Sequence, residues 1–366
     1  MAANPSLPTN LAPRRAPSSE TQTLPIPLPW RIGQVVVLAV IAALAVYYHL
    51  IGYRDPSGAP SQRVLTDYFG FIVLGALTWF ATPTAGTIAT TTFLEALRRR
   101  WVIGFLGFSV VVLLFSGSLT FVQLGEEQRF LQDFGTGFII AMTILISIFL
   151  GVTLVPPEIE RRTIFTILSK PVNRLEFLIG KFLGLCLTLF FCVFVLSAVF
   201  LTVFVLFNIH QNGAAAWTTG TTDNPGATLG FQTMQLLKAM ILNYGQLVVL
   251  GTLSMLLSLV VSPITAITFC FLAYFGGQMS SYWSTLGEGT AHGHEESSRV
   301  VTGPMKGIVQ VLYYALPRMD HFDVRQNMVT DSVIGFGQVW KAWSSGMVYV
   351  GVLLLIGYLV FSDREF

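Results

Sequence analysis

Charge is what this sequence lacks most. Asp, Glu, Lys and Arg make up 11% of its 366 residues, against about 25% in an ordinary soluble domain. So little polar surface cannot cover a water-soluble globule whose composition is 53% hydrophobic. Cysteine is scarce as well. Cys186, Cys192 and Cys270 all lie inside apolar runs, which excludes a disulfide framework and any zinc-type spacing. A net charge of +2 leaves no basic field for nucleic acid. No Gly-x-x-x-x-Gly-Lys-Ser/Thr loop occurs, so the chain has no phosphate cradle of its own. No Ser/His/Asp or Cys/His arrangement stands out, and no catalytic residue is assigned. A cleavable leader is not expected either: the first apolar run, from near Val35, is longer than a signal core and has no small-x-small cleavage pattern.

What the sequence has instead is apolar runs. A helix rises 1.5 Å per residue, so about 20 apolar residues cross the roughly 30 Å of bilayer hydrocarbon. Eight such spans are expected, near residues 32–51, 68–82, 102–121, 136–155, 175–207, 239–261, 264–283 and 347–361. The predicted fold is an all-α, polytopic transmembrane helical bundle. Residues 1–30, rich in Pro, Ser and Thr, are expected to form a disordered tail. Thr92 and Glu95 have capping-box spacing, and Phe93, Leu97 and Trp101 recur every fourth residue. That pattern predicts an interfacial helix starting at Thr92 and leading into the third span. The apolar stretch at 308–316 is too short to cross and reads as interfacial or re-entrant. Trp340 and Trp343 fit an aromatic belt flanking the last span.

Eight crossings place both termini on one side. The basic clusters Arg98 to Arg100 and Arg161 to Lys181 fall on that same side, which assigns it to the cytoplasm. No Asp, Glu, Lys or Arg is expected in the interior of a span. Buried charges are what ion-coupled carriers, proton pumps and voltage sensors use, so these classes are disfavoured. Asn243, Gln246 and Gln278 remain as polar groups at span depth. Energy, on this pattern, enters from outside the membrane.

The most informative segment lies between the fourth and fifth spans. Glu158, Glu160, Arg161 and Arg162 crowd the first half of a short amphipathic helix at 158–169, with Ile164, Ile167 and Leu168 on one face. Acids suit a helix start. Lys170-Pro171 stops the helix, and Asn173 and Glu176 can restart it as the fifth span. Gly180 and Gly184 offer a small-xxx-small face for close helix packing. Such a segment fits a loop lying on lipid headgroups, or a rigid docking lever that another protein pushes.

The run Glu160-x-x-Thr163, then Leu168-Ser169-Lys170-Pro171-Val172-Asn173-Arg174, then Glu176-Phe177-Leu178-x-Gly180-Lys181 resembles the corresponding segment of ABC-2 type permeases. More narrowly it is similar to the subgroup that includes the nitrous-oxide-reductase maturation permease. Glu95-Ala96-Leu97-Arg98, Tyr314-x-x-Pro317 with Phe322-Asp323, and the ending from Phe361 to Phe366 agree in order. Arg162 departs from the pattern, standing where the wider family often has Gly. The likeness covers about 88–366, making 85–366 the six-helix permease core and leaving 31–84 as two additional helices. The resemblance implies a transport subunit, an exporter, that dimerises with a second permease chain and binds a cytoplasmic ABC ATPase. ATP and magnesium would belong to that ATPase, and this chain would bind no cofactor. Glu158, Glu160, Arg161, Arg162, Thr163, Ile164, Phe165, Lys170, Pro171 and Arg174 would form the coupling element. The alternatives are a non-transporting scaffold subunit and an ATPase-independent channel or carrier. His292, His294, Glu295 and Glu296 could hold a divalent metal, but a solvated linker is the better reading because tetrahedral sites want further fixed ligands, and no metal site is assigned. His49, His210 and His321 read as isolated polar residues near span ends.

Overall fold

A computed structural model describes residues 27–47, 64–118, 127–156, 173–212, 228–279, 317, 319–323 and 335–363. Among these, every regular element is helical. In order they are α1 (Leu28–Tyr47), α2 (Val64–Phe80), α3 (Pro83–Arg98), α4 (Arg100–Ser116), α5 (Glu127–Leu154), α6 (Arg174–Asn212), α7 (Leu229–Val260), α8 (Pro263–Gln278) and α9 (Phe336–Asp363), with a 3-10 turn at Asp320–Phe322. Thr82 and Thr228 cap α3 and α7 by accepting from the backbone N–H of Ala85 and Phe231. Pro83 and Pro263 open α3 and α8, where a missing N–H costs nothing.

Helices α1, α5, α6, α7 and α9 are each long and apolar enough to cross a membrane, and α2 with α3 makes a sixth crossing if that bent pair is one span. Of the eight crossings expected, the described residues supply five or six candidates. Helix α4 has 17 residues and α8 has 16, short of the usual crossing length. Several boundaries also move. The helix expected to start at Thr92 starts at Pro83, because Thr82 caps it, and Thr92 is buried in its interior. The last helix starts at Phe336 rather than near 347, so Trp340 and Trp343 stand inside it, where Trp340 stacks on Phe71 at 3.8 Å. Helix α1 starts at Leu28, which brings Trp30 and Arg31 into it.

The core is the seam of α5, α6 and α7. Ile139, Ile146, Ile148 and Leu150 meet Leu185, Leu189, Leu196, Phe200 and Phe204, and Leu247 and Leu250, all fully buried. The Ser147 hydroxyl donates to the Leu247 carbonyl at 3.0 Å, and Asn243 Nδ2 donates to Thr143 Oγ1 at 3.2 Å. Both contacts step forward together, so α5 and α7 run parallel. Gly135 near the start of α5 faces Phe200 late in α6, so α6 runs against them. Helix α9 runs with α7, Gly346 lying against Val249 and Gly357 against Leu256. The outer faces are apolar, as on α1 (Ile32, Val35, Val36, Val40 and Leu44, all exposed). Apolar side chains turned outward along such long helices need hydrocarbon around them.

Helix α1 lies antiparallel to α2 and stitches its end. Gln34 Nε2 donates to the carbonyls of Thr78 at 2.9 Å and Ala81 at 2.6 Å, and Trp30 Nε1 donates to Ala81 at 2.8 Å. A helix end leaves such carbonyls without intrahelical partners, and in an apolar setting each must find one. Just beyond that stitch the chain turns by 95° into α3.

Candidate functional site

Two helix ends frame the charged segment between α5 and α6. Glu158, Glu160, Arg161, Arg162, Thr163, Ile164, Phe165, Lys170 and Pro171 lie outside the described residues, as does the whole predicted helix at 158–169. Arg174, Gly180 and Gly184 lie within them, on α6.

The first root is the carboxyl end of α5. Arg99 stands in extended conformation (φ −68°, ψ 120°) and breaks the helix between α3 and α4. Its side chain turns to α5, where Nη1 donates to the Thr153 carbonyl at 3.1 Å. That carbonyl belongs to the last turn of α5, the negative end of the helix dipole, where a guanidinium is favourable. Nη2 reaches back one turn to Glu95 at 3.0 Å. Glu95 is 57% exposed, so this ion pair orients Arg99 more than it stabilises the fold.

The second root is the start of α6. The Asn173 N–H donates to Glu176 Oε2 at 3.4 Å, the backward half of a capping box. The same carboxylate oxygen accepts from the Thr84 hydroxyl of α3 at 3.0 Å. One side chain therefore caps its own helix and ties it to the start of another. Two turns on, Gly180 and Gly184 bring the α6 backbone onto α3. A Cβ at Gly180 would stand 2.8 Å from Ile88 Cβ and 3.0 Å from the Ala85 carbonyl. A Cβ at Gly184 would stand 2.6 Å from Thr92 Cβ and 2.9 Å from the Ala89 carbonyl. Ala85 and Ala89 answer the glycines with small side chains of their own, so the backbones approach as closely as they do in membrane helix pairs. The rising register shows α3 running parallel to the first half of α6.

Lys181 follows at once. It is 4% exposed, with its ammonium 5.8 Å from the Phe177 ring, a buried cation two turns inside α6. This corrects the expectation that no charged residue sits within a span: the long stem packs among apolar neighbours while the head meets a ring face.

Helix α3 therefore holds both roots of the charged segment, α5 through the Arg99 hinge and α6 through Thr84 and the alanine–glycine seam. Sequence reading located the segment and the glycines. It missed α3 as their common support. Arg99 was visible only as one of three consecutive arginines, and Thr84 carried no signal. Among the described residues no group of three or more His, Cys, Asp or Glu could hold a metal. His292, His294, Glu295 and Glu296 lie outside the described residues. His210 sits in the last turn of α6 and His321 in the 3-10 turn.

Long apolar helices, outward-facing apolar side chains and a core built from packed spans define a multi-pass helical membrane protein. The sequence matches the profile described as ABC-2 family transporter protein over residues 26–366, and the chain belongs to that family. It is a membrane subunit of a transporter, with no ATPase domain in these residues. The match includes α1 and α2, which the sequence resemblance did not reach. No curated protein matches the sequence significantly.

Proposed function

We propose that this chain is the membrane-spanning permease of an ATP-driven exporter, of the subgroup its loop residues resemble. In this reading the chain makes eight crossings with both termini in the cytoplasm of the cell that carries it in its inner membrane, and a second permease chain, identical or related, completes the path. A separate ATPase subunit holds ATP and magnesium and docks on 158–169. Glu158, Glu160, Arg161 and Arg162 make the polar contacts there, and Ile164 and Phe165 the apolar ones. Thr163, Lys170, Pro171 and Arg174 shape the segment and its return into α6.

The observation that supports this most is the common anchorage of the two roots on α3. A loop resting on headgroups needs no such fastening. A lever does, because a push on an unfastened loop is lost in bending. Here a displacement of the segment moves α5, α6 and α3 together, and the 39-residue length of α6 carries it through the bundle. Membership in a transporter family supplies the purpose of that movement.

The test is charge reversal at the segment, Glu160→Arg with Arg161→Glu. Co-purification of the ATPase subunit is expected to be lost while the permease still inserts and stays monodisperse. A variant that still brings down its ATPase in full refutes the docking assignment.

A further inference from the structure

Near the midpoint of α7 two amides sit one turn apart, deep inside the bundle. Asn243 is 2% and Gln246 3% exposed. Asn243 gives its Nδ2 to Thr143 Oγ1 at 3.2 Å, but its Oδ1 is buried without a partner. Gln246 Nε2 is likewise buried without a partner, and no hydrogen bond to the Gln246 side chain is found among the described residues. The hydroxyls nearby are already committed. Thr143 donates to the Ile139 carbonyl at 2.7 Å and Ser147 to the Leu247 carbonyl at 3.0 Å. An acceptor and a donor left open three residues apart on one buried helix are among the most costly groups to bury, so native bundles fill them.

We propose that the Asn243–Gln246 turn is a binding site for a single hydroxyl group. Side chains three apart on a helix are separated by about 5–6 Å at Cβ. One oxygen making two hydrogen bonds of about 2.8 Å bridges polar atoms up to about 5.6 Å apart, within the reach of two such neighbours. The oxygen accepts from Gln246 and donates its proton to Asn243 Oδ1, which satisfies both open positions. Because the Thr143 proton is committed to Ile139, Asn243 keeps its Nδ2 toward Thr143 and its Oδ1 as the open acceptor. The side chain bonded to the turn, Thr143, is neutral, and a neutral hydroxyl satisfies both amides without a counter-charge. The ligand is a water in the resting bundle, or the hydroxyl of an amphiphilic molecule passing through it. The site needs no ATPase and stands independently of the docking assignment.

The test uses the purified full-length permease in mild detergent. Gln246→Met is close in volume and removes the donor. If the amides are merely orphaned, this change removes a burden and the thermal midpoint rises. If they hold a hydroxyl, it breaks a completed network, and the midpoint is expected to fall by about 2 °C or more. Radiolytic hydroxyl-radical footprinting reads the ligand directly. Met240, one turn before Asn243 and 4% exposed, is expected to be oxidised in the native chain and protected in the variant. A raised or unchanged midpoint, or an unlabelled Met240 in the native chain, overturns the proposal. Repeating the footprint with dioctanoylglycerol and with its methyl ether separates the sources. Protection by the alcohol alone assigns the seat to a lipid-like hydroxyl as well as to water; labelling unchanged by both assigns it to water.

Discussion

Replacing Gly184 by alanine tests the α3–α6 seam with a single methyl group. That carbon would stand 2.6 Å from Thr92 Cβ and 2.9 Å from the Ala89 carbonyl. Carbon contacts are comfortable at about 3.5–4.0 Å, so α3 must withdraw by about 1 Å. Neither neighbour can swing aside: one is a backbone oxygen, the other the branch point of a helical threonine. The cost lies toward the upper part of the roughly 1–3 kcal/mol range for overpacking. Alanine returns about 1 kcal/mol of helix propensity over glycine. The net is a loss of about 2 kcal/mol, or a midpoint lowered by roughly 4 °C. Gly104 on α4 is the control, because a Cβ there meets nothing within 4 Å. Gly104→Ala keeps only the propensity gain and is expected to raise the midpoint by about 2 °C. Thermal unfolding of both variants in one detergent, followed by tryptophan fluorescence, reads the two signs. If both variants shift in the same direction, the seam is not the close contact described and the reasoning fails.

Arg99→Gln removes the charged donor from the Thr153 carbonyl. A hydrogen bond of this kind is worth about 1.5–3 kcal/mol, so amide exchange in the last turn of α5 is expected to quicken by about 10- to 100-fold. Glu95→Gln, which touches only an exposed ion pair, is expected to change that exchange far less. Gly245→Ala places a carbon 2.8 Å from Phe322 Cε1 and 3.1 Å from Trp343 Cε2. It is expected to expel Phe322 from its seat between α7 and α9 and shift the tryptophan emission to the red; an unmoved spectrum would contradict that seating.

The helical character was legible because an apolar run has few ways to satisfy its backbone in hydrocarbon. Chain composition alone therefore exposed α5, α6, α7 and α9. The ends were harder to read. Thr92-x-x-Glu95 carries the letters of a helix start, yet Thr82 begins that helix about three turns earlier, and Thr92 lies buried on its packing face. Gly180 and Gly184 announced a close approach by their spacing, but not its partner. Ala85 and Ala89 on α3 look unremarkable until the 95° bend lays that helix beside α6. Arg99 was harder still. Its role depends on where α5 stops, a meeting in space between residues far apart in the chain.

The side chains of Trp30 and Gln34 complete the end of α2, and that sets an order of assembly. The second hydrophobic helix shields its last carbonyls from lipid only with the first beside it, so the two are expected to enter the bilayer as one hairpin. Deleting α1 should then strand its neighbour at the translocon and misplace the chain's later turns, even though the charged segment lies more than a hundred residues downstream.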